Sequence, residues 1–540
     1  MMAAKHNVAL FGFVMFILLA LLGSGFAPVF NDPDTAWHLA TGDLIRAHGL
    51  PMHDSWSFTA QNETWYNLSW LFDVFLSQLF SAGGFAAVYT LTVTVFAGSI
   101  AFMTSYSVKR GASPLAALII LLPTFNIMCE GVLARPNMCS VPLTLAFYCL
   151  LYRYRESGKW RELLPLPFLM ALWVNLHGGF LLAFPLIGAF LLEAFLYPPQ
   201  DSQPAANGLI GSIIERICRN RPARDYGIIL ALCLTATLIN PYGFGIYFGA
   251  SKTLFAWFDH KYVMEWKPIA IGSNKPFTLW FVIALCVGSI RDKRIAFVDR
   301  FLAVALILLS LSSIRHSVIS SLLLMSYLSL RLTFLLDASV IAKPLHTREL
   351  TLMKMLQKPK VCFASVLLVL FSIWLIYMPI YRNAPSDAAR YFPTHRYPAQ
   401  EAAYVLAHYP TLRFLNHYDI GGYLIYIWRG KQKVFVDGRA SSLYSDDLLH
   451  DYAEFMDTSG FSLRSHAIAD YYRIDGLIMP NDAPNAFNLQ WNPEWKIVYR
   501  GPVAAIYLRA SLAAKEAAVK TPHSHATSTH HQSPTVSSTR

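Results

Sequence analysis

The long apolar runs in this chain leave it few ways to fold. Val8–Phe30, Phe85–Tyr106 and Val361–Tyr381 each reach the roughly 20 residues that a helix needs to cross a bilayer. Shorter runs follow the same pattern at Pro114–Val132, Val141–Tyr152, Leu163–Val174, Phe180–Tyr197, Gly227–Ile239, Phe277–Ile290, Phe301–Ser313 and Val318–Leu330. Pro165, Pro167 and Pro185 interrupt two of them, which is tolerated where a helix lines a protein cavity rather than lipid. Together the runs predict a polytopic α-helical membrane protein with about 11 transmembrane helices. Apolar residues make up 55% of the chain and charged residues 14%, outside the range of soluble globular proteins.

Charge sets the expected topology. With the N-terminus inside, the cytoplasmic segments collect Lys5, Lys109, Arg110, Arg153, Arg155, Lys159, Arg161 and the basic groups of three later loops. That is about 21 basic residues against about 7 outside, a strong positive-inside bias. The loop Pro241–Pro276, with Lys252, Lys261, Lys267 and Lys275, runs against the trend. The net charge of +11 therefore reports orientation, and no nucleic-acid partner is expected. The expected site of residence is a bacterial inner or plasma membrane, with membrane lipids as neighbours and the N-terminus cytoplasmic.

An odd number of spans leaves everything after Tyr381 outside. Residues 1–381 form the transmembrane domain, with a large first outer loop at 31–70. Residues 382–510 change to alternating helix-like and strand-like patches and predict an extracytoplasmic α/β domain. Its expected helices are Ala399–His408 and Asp446–Phe455. Its expected strands are Leu412–Asn416, Lys433–Asp437, Gly476–Met479, Lys496–Tyr499 and Ala504–Leu508. No cysteine follows Cys362, so this domain has no disulfide framework. Residues 511–540 are rich in Ala, Ser, Thr and His and predict a disordered tail.

The first loop carries Asp32, Asp34, Asp43, Asp54 and Glu63 against a single Arg46. Acidic groups beside a span are costly near hydrocarbon and mark functional sites. Read as a helix, Asp34, His38, Thr41 and His48 form a polar stripe next to an apolar one of Trp37, Ala40, Leu44 and Ala47. This suits a short helix in the membrane interface. The expected topology places the other polar clusters on the same outer face: Glu130 with Arg135, Asn175-Leu176-His177, His260 with Glu265, and Arg315-His316.

Sugar transfer from a lipid phosphate needs a carboxylate to take the acceptor's proton and positive charge or a metal for the departing phosphate. Asp34, then Asp32, then Glu130 are the candidate catalytic acids. Arg135, His177, Arg315 and His316 are the candidate donor-phosphate contacts. His38, Glu265 and Trp266 are the candidate acceptor contacts. Each also has a plain structural reading. Asp32-Pro33-Asp34 is a suitable helix cap, Arg135 and Arg315-His316 suit headgroup anchoring, and His177 suits a polar turn before Gly178-Gly179. No P-loop, HExxH, GxSxG or cysteine-rich metal pattern is present in the sequence. A flippase or transporter of lipid-linked saccharides would show polar residues along both halves of a path, with inverted repeats. Neither is legible. A non-catalytic envelope assembly protein is the third class.

Two stretches carry a family resemblance. Asp32-Pro33-Asp34-Thr35-Ala36-Trp37-His38-Leu39-Ala40-Thr41, followed by His48-Gly49-Leu50, is similar to the first-loop pattern of the oligosaccharyltransferase catalytic subunit. Asn416-His417-Tyr418-Asp419-Ile420-Gly421-Gly422-Tyr423, followed by Val434-Phe435-Val436-Asp437-Gly438-Arg439, resembles that family's acceptor motif and the strand after it, without its tryptophan pair. A long first outer loop opening with an acidic pair, many spans and an outer C-terminal α/β domain also resemble the glycosyltransferase C (GT-C) superfamily in the architecture of most of the chain. The resemblance implies an inverting glycosyltransferase that uses a polyprenyl-phosphate-linked sugar donor. The resemblance makes Tyr418, Asp419 and Asp437 candidate acceptor contacts as well, and the acceptor stays open among glycan, lipid and protein. It also implies a divalent metal, Mg or Mn, with Asp32 as the candidate ligand.

Overall fold

The computed structural model describes residues 2–26, 29–61, 63–198, 220–254, 256–268, 292–338, 351, 354–355, 358–382, 392, 396–457, 462–483 and 486–520. The first apolar run forms α1 (Met2–Leu21) and the first loop contains α2 (Pro33–His48). Asp32 caps α2: its Oδ1 accepts the Asp34 amide at 3.3 Å, Pro33 opens the first turn and Gly49 (φ 83°) ends the helix. The second run belongs to α3 (Trp70–Lys109), whose first turns lie in the loop region beside α2. Gly83 and Gly84 leave helical geometry, Gly84 at φ 59°, so α3 bends at the point where its apolar run begins.

Then follow α4 (Pro114–Met128), α5 (Asn137–Ser157), α6 (Pro165–Leu176), α7 (Ala183–Leu196), α8 (Arg221–Ala236), α9 (Gly245–Leu254), α10 (Trp257–Tyr262), α11 (Phe297–Ser312), α12 (Ile314–Asp337) and α13 (Pro359–Arg382). Four described segments are long and apolar enough to cross a membrane: α3, Gly178–Leu196, α12 and α13. The other expected runs form helices that are shorter or more polar. The 12 residues of α6 rise only about 18 Å, short of the roughly 30 Å hydrocarbon core. The expected span Phe277–Ile290 lies outside the described residues. In the bundle α1 packs on α3 and α13, α12 packs on α3, α4 and α11, and α8 packs on α6 and α7.

The C-terminal region contains α14 (Ala399–His408), β1 (Phe414–Asn416), α15 (Tyr418–Trp428), α16 (Asp446–Asp457), α17 (Leu463–Tyr471), β2 (Gly476–Pro480), β3 (Trp495–Arg500), β4 (Ala504–Arg509) and α18 (Ala510–Lys520). The sheet order is β1-β2-β4-β3, with β1 parallel to β2 and the other pairs antiparallel. Glu401 of α14 ties down the β3–β4 hairpin by accepting the Val503 and Ala504 amides at 2.9 Å each.

One expected strand is used differently. Lys433–Asp437 is no strand of this sheet; Val434 pairs with the first loop instead. Its amide donates to Trp56 O at 3.1 Å, and the Phe58 amide donates to Val434 O at 3.1 Å. The domain is thereby joined to the loop that carries the aspartates. Helix α15 packs along α2, and Gly422 makes this possible: a Cβ there would sit 2.6 Å from Pro33 O and 3.0 Å from Trp37 Cδ1.

Candidate active site

Four separate segments converge at the end of the bundle that carries the C-terminal domain. Arg135, just before α5, is the hub. Its Nε lies 2.6 Å from Asp32 Oδ2, its Nη2 contacts Asp34 Oδ2, and its Nη1 donates to Glu265 Oε2 at 2.8 Å. Glu265, on the short 3-10 turn Met264–Trp266, also accepts from Arg315 Nη1 at 3.1 Å, at the start of α12. The Arg315 guanidinium stands 5.0 Å over the Trp266 ring, an attractive cation–π geometry. Trp37 Nε1 donates to Asp34 Oδ1 at 3.1 Å. Carboxylates from α2 and from the Glu265 turn therefore share guanidinium groups from two distant helices.

The setting is partly closed. The Arg135 side chain keeps 19% of its surface and that of Arg315 34%, whereas Asp32 and Asp34 are buried. Burial pushes the Asp32 carboxyl up to about 7, with Arg135 pulling it down and Asp34 and Glu265 pushing it further up. Glu265 goes the other way. Burial would raise it, and the Arg135 and Arg315 guanidinium groups outweigh burial and hold it below the usual carboxylate range.

The remaining sequence candidates fall at varied distances from this hub. His316 lies beside it, its ring 6.3 Å from Trp266 and its Nδ1 buried without a hydrogen-bond partner among the described residues. His177 Nδ1 is held by Ser140 Oγ at 2.6 Å and by the Gly179 amide at 3.1 Å, and burial drives its pKa down to about 3, so the ring is neutral. His38 faces inward, bonded to Asp73 of α3, whose other oxygen accepts from Asn67 at 2.7 Å. Glu130 lies on the turn Cys129–Gly131, and its side chain falls outside the described residues. Tyr418 is held well above its ordinary pKa by burial and then by the nearby Asp34 carboxylate. Asp419 is largely exposed beside His417. Asp437 is fully buried against Arg439 and Tyr444.

Sequence reasoning missed three contributors. Trp37 was assigned to the apolar stripe, yet it stands three residues after Asp34, the spacing that brings helical side chains together. Gly438 lies against the site: a Cβ there would fall onto Asp34 Oδ1. Tyr397 has a buried hydroxyl without a hydrogen-bond partner among the described residues, and after burial the Asp32 carboxylate is the strongest influence raising its pKa. Nothing local in the sequence points to Tyr397.

Asp32, Asp34 and Glu265 supply hard oxygen ligands of the type Mg²⁺ and Mn²⁺ prefer. One oxygen of each is already turned to a nitrogen of Arg135. Among the described residues no group of three or more His, Cys, Asp or Glu side chains has an arrangement that would hold a metal ion. The site as folded does not fit a divalent ion.

No protein-family model and no curated protein sequence matches the chain. Solved structures of the Archaeoglobus fulgidus oligosaccharyltransferase are similar to it along most of its length. The form tethered to an acceptor peptide with an NVT sequon matches at a TM-score of 0.49 and 10% identity, covering 93% of this chain and 74% of that one. The apo form matches at 0.42 and 11% identity, covering 92% and 74%. The complex with an inhibitory peptide and a dolichol-phosphate matches at 0.43 and 11%, covering 93% and 74%.

Proposed function

We propose that the chain is a membrane glycosyltransferase that moves a sugar from a polyprenyl-phosphate donor to an acceptor. The reaction takes place on the membrane face that carries the C-terminal domain, and we read this face as extracytoplasmic. One observation carries the proposal: Asp32 and Asp34 of the first loop meet Arg135, Glu265 and Arg315 from three other segments in one partly exposed cluster. Buried carboxylates beside cationic groups at the membrane interface are the two components that phosphate departure and proton removal require.

In this reading one of the paired aspartates takes the acceptor's proton while the acceptor oxygen or nitrogen bonds to the anomeric carbon. The bond from that carbon to the phosphate oxygen breaks, and its electron pair leaves with the polyprenyl phosphate. A single displacement of this kind inverts the anomeric carbon. Asp32 suits the base, because a pKa near 7 lets it take and release a proton at neutral pH. Arg315 and His316 receive the phosphate, and Arg135 holds both carboxylates in position. The C-terminal domain, locked to α2 through α15, fixes the acceptor side around Tyr418.

Proteoliposomes supplied with a radiolabelled polyprenyl-phosphate hexose and a panel of glycan, lipid and peptide acceptors test this. Wild type transfers label, and Asp32→Asn or Asp34→Asn slows transfer by about 10²–10⁴-fold. Unchanged transfer in both variants removes the proposed base. Movement of the lipid across the bilayer without any transfer would instead make the chain a flippase.

A further inference from the structure

We propose that Arg135 is the permanent cation of this site, standing where a divalent ion would otherwise gather the carboxylates, so that the site takes up no Mg²⁺ or Mn²⁺ and transfer runs without one. The inference deepens the transferase reading and rests on it only for the activity half of its test.

A divalent ion such as Mg²⁺ needs several oxygen ligands at about 2.0–2.1 Å around one point. The three carboxylates in reach are instead spread around a planar guanidinium, at 2.6 Å from Nε and 2.8 Å from Nη1, with Asp34 on Nη2. Each acid thus has its own nitrogen, an arrangement that suits a delocalised cation and not a point charge.

The backbone that carries Arg135 is also held. The Ala134 amide donates to Val29 O at 3.2 Å, Ala134 O accepts from Thr35 Oγ1 at 3.2 Å, and the Met138 amide closes on Arg135 O at 3.0 Å as α5 begins. Val29 and Thr35 flank the two aspartates in sequence. The backbone contacts that seat Arg135 are therefore the same ones that seat its partners. An arginine does not lose its proton in a protein, so the charge is present under all working conditions.

Donor counting shows what remains for the substrate. A guanidinium has five N–H groups; Glu265 takes one on Nη1 and Asp34 one on Nη2, while Asp32 lies at ion-pair distance from Nε without an aligned hydrogen bond. One N–H on Nη1 and one on Nη2 are left over, the pair suited to two oxygens of a phosphate. Arg135 can therefore organise the acids and touch the departing phosphate together.

Mn²⁺ titration of the detergent-purified full chain, followed by electron paramagnetic resonance and by thermal melting, tests this without reference to turnover. The wild type is expected to show no saturable site and no rise in Tm with Mn²⁺, and its transfer rate is unchanged by a chelator. Arg135→Ala, which leaves Asp32 and Asp34 without their cation and Glu265 with Arg315 alone, is expected to gain a Mn²⁺ site and a metal-dependent rise in Tm. If Arg135→Ala does not fold in the absence of metal, rescue of its folding by Mn²⁺ reports the same gain. The proposal is overturned if the wild type binds one Mn²⁺ and loses it in Asp34→Asn and Glu265→Gln, or if a chelator abolishes transfer and Mn²⁺ restores it. Failure to transfer from any donor would sink the transferase reading and leave the titration to decide on Arg135.

Discussion

Two buried arginines organise two sets of carboxylates in this molecule, and they differ in how completely each set is closed. Arg439 donates to Asp54 of the first loop through Nη1 and to Asp437 through Nε at 2.8 Å and Nη2 at 2.7 Å. Tyr444 donates to the same Asp437, and the Trp56 and Ser57 amides with the Ser57 hydroxyl fill the oxygens of Asp54. Side-chain exposure is 1% for Arg439 and 0% for both acids. Arg135, by contrast, keeps a face open and gathers three acids. Asp32 Oδ2 is within ion-pair distance of Nε but has no aligned hydrogen bond. A buried charge network with every group satisfied specifies structure. A network with an open edge and spare donors is equipped to act on something else.

The comparison can be broken in several places. The largest effect is expected from Arg439→Met, which leaves Asp54 and Asp437 buried without their cation. It should cost about 3–5 kcal/mol of stability, read as a large fall in Tm, and should release the first loop from the C-terminal domain. Retention of the wild-type Tm would show that the closed cluster is not structural.

Gly438→Ala sharpens the other side. The added methyl meets Asp34 and not a core side chain, so it should act on the open cluster. A strain of about 1–3 kcal/mol then appears mainly as a roughly 5–150-fold loss of transfer. An equal loss in all variants' expression and none in rate would place Gly438 in the scaffold alone.

The clusters should also respond to pH with opposite signs. Burial would raise Asp54, but Arg439 and the Ser57 hydrogen bonds outweigh it and leave it below the ordinary carboxylate pKa. Its contribution is present above that ordinary value and is lost as pH falls through the folded one. Asp32 is raised to about 7, so its contribution is present at acid pH and lost as pH rises through about 7. Melting curves from about pH 2 to about pH 8 should show Asp54→Asn losing ground to wild type as pH rises through the acid end, below about pH 4 to 5, and Asp32→Asn gaining on wild type as pH rises toward about 7. The smallest effect belongs to Arg429→Ala. Arg429 pairs with Asp43 at 2.6 Å across the same interface, but both are more than a third exposed, and such pairs are worth about 0–1 kcal/mol.

The sequence made the main apolar helices and several C-terminal elements legible, because their periodicity is local. Ala399–His408 is helical over the predicted residues, and Gly476–Met479 and Ala504–Leu508 lie within strands. Asp32, Asp34, Arg135, Glu265 and Arg315 stood out because charges beside apolar runs are expensive. Their partners did not. His38 stands out by the same polarity and Asp437 by the family resemblance, yet they bond to Asp73 and Arg439 inside the fold. Lys433–Asp437 has the alternation of a strand but spends its hydrogen bonds on Trp56 and Phe58, more than 300 residues earlier in the chain. Pairings that distant leave no trace in local periodicity.

The most direct test of the account is the release of polyprenyl phosphate from a labelled polyprenyl-phosphate hexose in proteoliposomes supplied with the acceptor panel, compared between wild type, Asp32→Asn and Arg429→Ala. The account predicts release by wild type and Arg429→Ala at matching rates, and by Asp32→Asn at least about 10²-fold more slowly. Equal release by all three proteins would contradict it.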